Sequence, residues 1–319
     1  LPEDALPYDQ QTLRTFCNNT DNATTFDFFV AVYQRYCAGD SFSNVFGDTL
    51  VVLDKDFNVM PAAAERWEVS EDGRTWTFHL RESKWSDGTP LTSEDFRWSW
   101  MRLLDPSTAS KSAQLLHGVV GAEEFNSGGK AAVGIHAPDA RTLVVEFDRP
   151  VPWFAELTAN PPLCPVPRHV VEAHGQAWTR PGTLVSNGPF VLVSRRLNQG
   201  LYLRRNESYW NVDAIALKTA AALTGDFANA NFNRYASGLL HWVDSGGVPP
   251  SLVDQLRDRD DWHATPFLAT YFLRCNVTRP PLDDPRVRRA LQLAIDAESI
   301  VEHVTRSGQV PAHSLVPPE

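Results

Sequence analysis

Histidine and cysteine are the residues of this chain that most often bind metals or act as nucleophiles. Nine histidines and four cysteines occur among its 319 residues. His169 and His174 stand five positions apart, which places their rings about 140° apart around a helix. A zinc pair on one helix needs an i, i+4 spacing, as in H-E-x-x-H. The pair therefore indicates two independent side chains and not a metal site.

Other enzyme signatures are also missing from the sequence. Gly128-Gly129-Lys130 lacks the preceding frame of a phosphate-binding loop and is predicted to be a plain loop. No G-x-S-x-G elbow occurs, and no cysteine stands in a known nucleophile signature. We therefore expect a protein that is not an enzyme and that needs no cofactor or metal.

The four cysteines, Cys17, Cys37, Cys164 and Cys275, leave two alternatives open. No C-x-x-C spacing is present, which disfavours zinc and thioredoxin-like sites. An even number of cysteines permits disulfides in an oxidising compartment, and Cys17 with Cys37 is the first pair to test because the loop between them is short. Free buried cysteines are the other alternative.

Composition limits the class of protein and of partner. A chain of 319 residues suggests two domains, or one domain with an insertion. The formal charge of −10 disfavours a nucleic-acid partner, which would need clustered Lys and Arg. No run of 18 apolar residues occurs. Leu1-Pro2-Glu3-Asp4 is typical of a mature or trimmed N-terminus.

The most strongly patterned region begins with a predicted hairpin. Residues 71–73, Glu-Asp-Gly, form a turn signal because Gly tolerates positive φ and Asp bonds its own backbone. In the arm that follows, Trp76, Phe78 and Leu80 alternate with polar residues, which predicts a strand with one buried face.

A capped helix is predicted directly after this hairpin. Thr92 or Ser93 is the N-cap, with acidic residues in the first turn. Asp105-Pro106 ends the helix, because proline restricts the residue before it. The buried face of this helix is predicted to consist of Phe96, Trp100, Leu103 and Leu104.

Further elements follow from the same rules. Strands are predicted at 12–17, 141–147 and 266–276, and helices at 168–174, closed by Gly175, and 227–236. Leu239, Leu240, Trp242 and Val243 are predicted to be a buried run. Asp284-Pro285 begins a late helix and Asp296 a shorter one. The predicted buried stripe of the late helix comprises Val287, Ala290, Leu291 and Ala294.

Several motifs in fixed order identify a family. The stretch 61–110 contains P-A-x-A-E-x-W, D-G-x-x-W-T-F-x-L-R, W-S-D-G-T-P-L-T-x-E-D-F and L-D-P-x-T-A-S. N-G-P-F, R-N-x-x-Y-W and P-P-L-D-D-P-R-V-R-R-A-L follow later in the chain. Together they resemble the signature of the family 5 extracellular solute-binding proteins, the receptors of peptide and nickel ABC importers.

The resemblance implies an α/β fold with mixed sheets, two-lobed and periplasmic-binding-protein-like, with an inserted extra lobe. Residues 1–50 and 182–270 would form lobe I, 51–181 the inserted lobe II, and 271–319 the start of a truncated lobe III. The chain would correspond to about the first two-thirds of a family domain, with the C-terminal part of the fold missing.

The resemblance also implies which residues contact a ligand. The segment from Gln34 through Arg35, Tyr36 and Cys37 to Ala38 would run along a bound peptide and bond its main chain. An ordinary exposed turn is the alternative for this segment. Ser245 and Gly246 are candidates because loops at strand ends place ligands in α/β folds, with a plain Gly-rich turn as the alternative. Tyr271 and Arg274 would face the cleft at the crossover between lobes.

The function implied is that of a periplasmic or extracytoplasmic receptor, in which a monomer captures oligopeptides and delivers them to the permease of an ABC importer. Its membrane association would come through the transporter or a lipid anchor. Another cargo, such as a nickel chelate, an oligosaccharide or a cell-wall peptide, is one alternative. A sensor ectodomain that has lost transport is the other.

Overall fold

The structure is a computed structural model that describes residues 12–17, 43–196, 199–225, 227–244, 247–264, 269–306, 308–312 and 314–315. The chain separates into two compact units, Leu1–Asp244 and Ser245–Glu319. The fold is mixed α/β, as predicted from the sequence. The division into three lobes stays a prediction.

Among the described residues, the strands all lie in the first unit, whereas the second unit contains helices. The strands are β1 Thr12–Cys17, β2 Val51–Leu53, β3 Val59–Pro61, β4 Ala64–Val69, β5 Thr75–Leu80, β6 Ser83–Lys84, β7 Pro90–Leu91, β8 Ile135–Asp139, β9 Thr142–Glu146, β10 Phe190–Arg196, β11 Gly200–Arg205 and β12 Thr219–Thr224. The helices are α1 Ser43–Phe46, α2 Ser93–Leu104, α3 Ala122–Asn126, α4 Phe154–Thr158, α5 Arg168–His174, α6 Ala228–Ala236, α7 Val253–Leu256, α8 Pro285–Ala294 and α9 Ala297–Ile300.

One four-stranded sheet of the first unit has the order β1-β12-β11-β10. β1 and β12 are parallel, with Thr12 opposite Thr219 and Cys17 opposite Thr224, and the other pairs are antiparallel. The carboxyl ends of β1 and β12 therefore lie at the same edge of the sheet. Side chains of this sheet pack with Phe46 into one hydrophobic cluster, cluster B: Phe46, Phe190, Leu192, Leu201, Leu203, Ala220 and Ala222.

The second four-stranded sheet, β4-β5-β9-β8, is antiparallel throughout and carries the predicted hairpin. Trp76, Phe78 and Leu80 are buried, which confirms the strand with one buried face. α2 packs against β8 and β9 and begins after Thr92, as predicted. The Asp95 carboxylate accepts hydrogen bonds from the Thr92 backbone N–H at 2.8 Å and the Thr92 hydroxyl at 2.9 Å.

The core of this second sheet is aromatic. Phe154 lies at its centre, with ring centroids 4.6 Å from Phe147, 5.9 Å from Phe78 and 6.2 Å from Trp100. The Trp100 indole N–H donates to the Leu163 carbonyl at 2.9 Å, so its polar atom is satisfied inside the core. These residues belong to cluster A, which extends from Leu50 to Trp178 and excludes every member of cluster B.

The second unit corrects two sequence predictions. α8 begins at Pro285 with Asp284 as its N-cap, as predicted, but its stripe is not buried: Leu291 is 48% exposed. Of the predicted strand 266–276, the described residues 269–276 form no ladder with any other described residue. Apolar side chains of α8 and of residues 269–276, such as Leu293 and Leu273, are exposed, because no described surface of this unit covers them. No helix among the described residues of either unit is long and apolar enough to cross a membrane.

Candidate functional site

Most of the residues predicted to contact a ligand lie outside the described residues. These are Gln34, Arg35, Tyr36, Cys37, Ala38, Ser245 and Gly246. Cys37 of the predicted Cys17–Cys37 pair lies there as well, whereas Cys164, which is buried, and Cys275, which is half-buried, are free. The ligand contacts and the disulfide stay predictions.

Tyr271 and Arg274 are the predicted ligand residues that the structure describes. Tyr271 is 91% exposed. The Arg274 guanidinium carbon lies 5.5 Å from the centroid of the Phe272 ring, so the cation stacks on an exposed aromatic side chain. Both residues belong to the extended segment 269–276 of the second unit and are accessible to a partner.

The carboxyl edge of β1 and β12 is the part of the first sheet where an α/β fold places ligands. The segment that contains His241 and Trp242 runs beside the middle of β1: the His241 N–H donates to the Arg14 carbonyl at 2.8 Å, and the Thr15 hydroxyl donates to the Trp242 carbonyl at 3.3 Å. The predicted buried run 239–243 is wrong in part, because Leu239 and Trp242 are 47% and 44% exposed while Leu240 is buried.

A buried polar site lies between clusters A and B. The Asp48 carboxylate, in a residue only 5% exposed, accepts hydrogen bonds from the Trp210 indole N–H at 2.6 Å and from the Tyr209 hydroxyl at 3.4 Å. The Arg81 guanidinium carbon stacks 3.6 Å from the Trp210 ring centroid. Asp48, Arg81, Asn187, Tyr209 and Trp210 together are called the Asp48 junction.

The backbone N–H and carbonyl of Asp48 are also hydrogen-bonded, both to the side chain of Asn187. Its N–H donates to Asn187 Oδ1 at 3.1 Å, and its carbonyl accepts from Asn187 Nδ2 at 2.8 Å. Gly188, which follows Asn187 in the chain, donates its N–H to the Phe46 carbonyl at 3.1 Å. A Cβ at Gly188 would lie 2.6 Å from the Phe46 carbonyl carbon, so only glycine fits this close approach.

The R-N-x-x-Y-W motif completes the junction. Asn206 donates from Nδ2 to the Gly188 carbonyl at 2.9 Å and from its backbone N–H to the Pro189 carbonyl at 2.8 Å. N-G-P-F and R-N-x-x-Y-W are therefore adjacent in space and enclose Asp48. Sequence reasoning did not single out Asp48, although the polar residues embedded in these two aromatic motifs were the available signal.

The electrostatics of the junction favour a structural role over catalysis. Burial raises the pKa of Asp48 to about 6, offset in part by the hydrogen bonds from Trp210 and Tyr209 and by the Arg81 charge. Burial, together with the Asp48 charge, raises the pKa of the Tyr209 hydroxyl and of the Cys164 thiol. Neither group is activated as a nucleophile. Across the described residues, no three His, Cys, Asp or Glu side chains are grouped as a metal site.

Comparisons with known proteins agree with the motifs. Residues 58–319 match the family model described as bacterial extracellular solute-binding proteins, family 5 Middle. The periplasmic oligopeptide-binding protein OppA of Escherichia coli is 38% identical over 276 residues, which is 84% of this chain and 50% of that protein. The probable deoxycholate-binding periplasmic protein YgiS of Escherichia coli is 39% identical over 284 residues, with 85% and 51% covered.

The fold matches solved structures as well. The crystal structure of Haemophilus influenzae OppA in complex with RPPGFSPFR superposes with a TM-score of 0.86 at 32% identity, covering 96% of this chain and 60% of that one. The chain thus spans about half the length of the curated relatives it matches.

Proposed function

Because this chain belongs to the family 5 bacterial extracellular solute-binding proteins, we propose that it is part of the substrate receptor of an ABC importer that captures oligopeptides. The observation that carries the proposal is the 38% identity, over 84% of this chain, to a protein named as an oligopeptide-binding protein. The match to a structure that holds a nonapeptide supports it.

Peptide capture would use the residues that the family resemblance indicates. Residues 34–38 would bond the peptide main chain, which gives affinity without side-chain selectivity. Ser245 and Gly246 would line the cleft, and Tyr271 and Arg274 would contact the ligand from the crossover segment. The 91% exposure of Tyr271 and the exposed Arg274–Phe272 stack support the last pair, since both are accessible.

The three-lobe organisation belongs to the same proposal. Residues 1–50 and 182–270 would form lobe I and 51–181 lobe II, which is supported by the separation of clusters A and B. Residues 271–319 would begin lobe III, which is supported by the exposed apolar side chains of α8. The receptor would be an extracytoplasmic monomer without catalytic activity that docks on permease subunits, with a lipid anchor as one means of membrane attachment.

The proposed cargo is tested by measuring whether added peptides raise the Tm of the full-length protein. A ligand that binds only the folded state adds RT ln(1 + [L]/Kd), or about 2.7 kcal/mol at 100 times Kd. We expect di- to octapeptides to raise Tm. Stabilisation by a nickel chelate or a sugar, and by no peptide, would contradict the proposal.

A second cargo class follows from the relative named as probably deoxycholate-binding, which is as similar as the peptide-binding one. Deoxycholate therefore belongs in the same ligand screen, at concentrations below its critical micelle concentration. A shift in Tm with deoxycholate and none with peptides would identify an amphipathic acid as the cargo.

A further inference from the structure

A cavity in the second unit is surrounded by charged side chains. Its volume is about 390 Å³, which is far larger than one water molecule needs. Tyr271 and Arg274, the described candidates for peptide contact, do not line it. The charged or titratable residues that line it are Asp254, Arg257, Glu302, His303 and Arg306. The proposed function assigns no role to any of these five side chains.

The Asp254 carboxylate lies between two guanidinium groups. Its Oδ1 accepts a hydrogen bond from Arg257 Nη2, and its Oδ2 accepts one from Arg306 Nη2. Each guanidinium carries five N–H donors, and among the described residues Asp254 is the acceptor that either side chain contacts. Because one carboxylate bridges them, the two guanidiniums lie close together, and most of their donors are left for a ligand.

Arg306 has a backbone conformation that favours glycine. Its φ of 57° lies in the left-handed region, which other L residues adopt only with strain. Its N–H donates to the Val301 carbonyl at 3.0 Å, five residues earlier, and closes one turn of π-helix over Val301–Thr305. Such turns are rare and occur frequently at functional sites. Glycine would fit this backbone without strain, so the reason for an arginine lies in its side chain, which reaches Asp254 across 52 positions.

The charges around the cavity favour an anion over a cation. Arg257 and Arg306 contribute two positive charges, and Asp254 neutralises one of them. Glu302 Oε2 lies 3.9 Å from His303 Nε2, and these side chains are 75% and 67% exposed. Water therefore screens their charges more than those of the less exposed Asp254 and Arg306. The arginine pair thus presents one net positive charge to a ligand.

We propose that Arg257 and Arg306 form a binding site for an oxyanion, a phosphate or carboxylate group, and that Asp254 holds the two guanidiniums at a spacing that suits it. Guanidinium N–H groups bond the paired oxygens of both groups with matching geometry. A phosphate group has enough oxygens to accept from both guanidiniums, whereas a carboxylate matches one, so phosphate should bind more tightly. Asp254 competes for the same donors and lowers the affinity of the site. The site uses no residue that is predicted to contact a peptide.

An NMR titration of the full-length protein, labelled with nitrogen-15 at arginine, measures this binding directly. Inorganic phosphate and acetate are titrated separately at constant ionic strength, which identifies the group that the site prefers. Sodium chloride gives the response to a simple anion. We expect phosphate to shift the side-chain N–H signals of Arg257 and Arg306 in a saturable way, acetate to do so at higher concentration, and chloride not to do so.

Four variants assign the binding to these residues. Arg306→Gly removes one guanidinium and suits the left-handed backbone, so the phosphate affinity should fall by at least about tenfold in a folded protein. Arg257→Gln should lower it to a similar extent. Asp254→Asn removes the competing carboxylate and should raise the affinity by about fivefold. Asp261→Asn makes the same change in the exposed Arg259–Asp261 ion pair and should alter the affinity by less than about twofold.

The opposite signs expected for the arginine and aspartate variants separate a binding site from general damage to the fold, which would weaken binding in every variant. The absence of a saturable shift with either anion would overturn the proposal. Equal phosphate affinity in Arg306→Gly and the unchanged protein would also overturn it. A gain in Asp261→Asn as large as that in Asp254→Asn would do the same, because it would assign the effect to net charge and not to the bridging carboxylate.

Discussion

Helices α2 and α8 carry the same local signals but differ in burial. Each begins after a capping residue whose side chain interacts with its first turn: Thr92 with Asp95 in α2, and Asp284 with the Arg286 N–H at 2.8 Å in α8. Each also places apolar residues at helical spacing. Yet Leu103 of α2 is 0% exposed, whereas Leu291 of α8 is 48% exposed.

Capping and periodicity determine whether a helix forms, whereas burial of its apolar face depends on a second surface that packs against it. α2 has that surface in β8 and β9, and its Trp100 reaches across to the Leu163 carbonyl. α8 has no such surface among the described residues of the second unit. The amphipathic pattern of α8 therefore indicates a surface that packs against its apolar face. We propose that this surface belongs to the rest of lobe III.

Matched leucine substitutions give the largest expected contrast between the two helices. Leu103→Ala should cost about 2–5 kcal/mol of unfolding free energy, since it leaves a cavity in a fully packed core. Leu291→Ala removes a half-exposed side chain and should change the unfolding free energy by less than about 0.5 kcal/mol. Urea unfolding, followed by circular dichroism and tryptophan fluorescence, measures both. Equal costs would mean that the α8 stripe is buried in solution.

The caps of the two helices give a smaller contrast. Asp95→Ala removes the acceptor of two Thr92 hydrogen bonds and should cost about 1 kcal/mol. Burial raises the pKa of Asp95, so ionisation of this buried carboxyl lowers the free energy of unfolding as pH rises through its folded-state pKa. The neutral Asp95→Asn, which keeps an acceptor, should therefore regain most of the loss at pH 7.

Asp284→Ala removes the equivalent contact of α8. The Asp284 carboxylate accepts hydrogen bonds from Arg286, which is only two residues away in the chain. The expected effect of the substitution is a loss of helix signal in circular dichroism without a shift of the urea midpoint. A midpoint shift as large as that of Asp95→Ala would show that α8 is coupled to the core of the protein.

Local rules predicted the hairpin, α2, α5, α6 and the start of α8, because turns, caps and periodicity involve residues close in sequence. The Asp48 junction was not predicted for the opposite reason. Asp48 meets Asn187 and Trp210 across 139 and 162 positions, and no period or spacing encodes such a contact. The exposure of the α8 stripe was missed because burial is a tertiary property.

Most of the candidate ligand residues depended on the family resemblance and not on local physics. Motif order indicated the family, and the family indicated residues 34–38, 271 and 274, whereas Ser245 and Gly246 came from the rule that loops at strand ends place ligands. Physical reasoning from single residues had no means to find residues 34–38, because main-chain contacts to a peptide leave little side-chain signature. The same holds for the glycine at 188, whose requirement becomes visible only when Phe46 is placed against it.

Removal of surface ion pairs should change the unfolding free energy least of all. The expected change is equally small in the two units. In the first unit His169 Nε2 lies 2.7 Å from Asp87 Oδ2, and in the second Arg306 pairs with Asp254. Exposed pairs of this kind contribute on the order of 0–1 kcal/mol. Asp87→Asn and Asp254→Asn should therefore each shift the urea midpoint only slightly at pH 7.

The Asp87 pair also carries a pH signature. Burial acts to raise the pKa of Asp87, but hydrogen bonds from His169 and Thr89 outweigh it, so the pKa lies below its ordinary 3.8. A lowered folded-state pKa contributes stability above pH 3.8 that is lost as pH falls through the folded value. The small difference between Asp87→Asn and the unchanged protein should therefore vanish in acid. A difference that instead grew below pH 4 would assign the effect to packing and not to the ion pair.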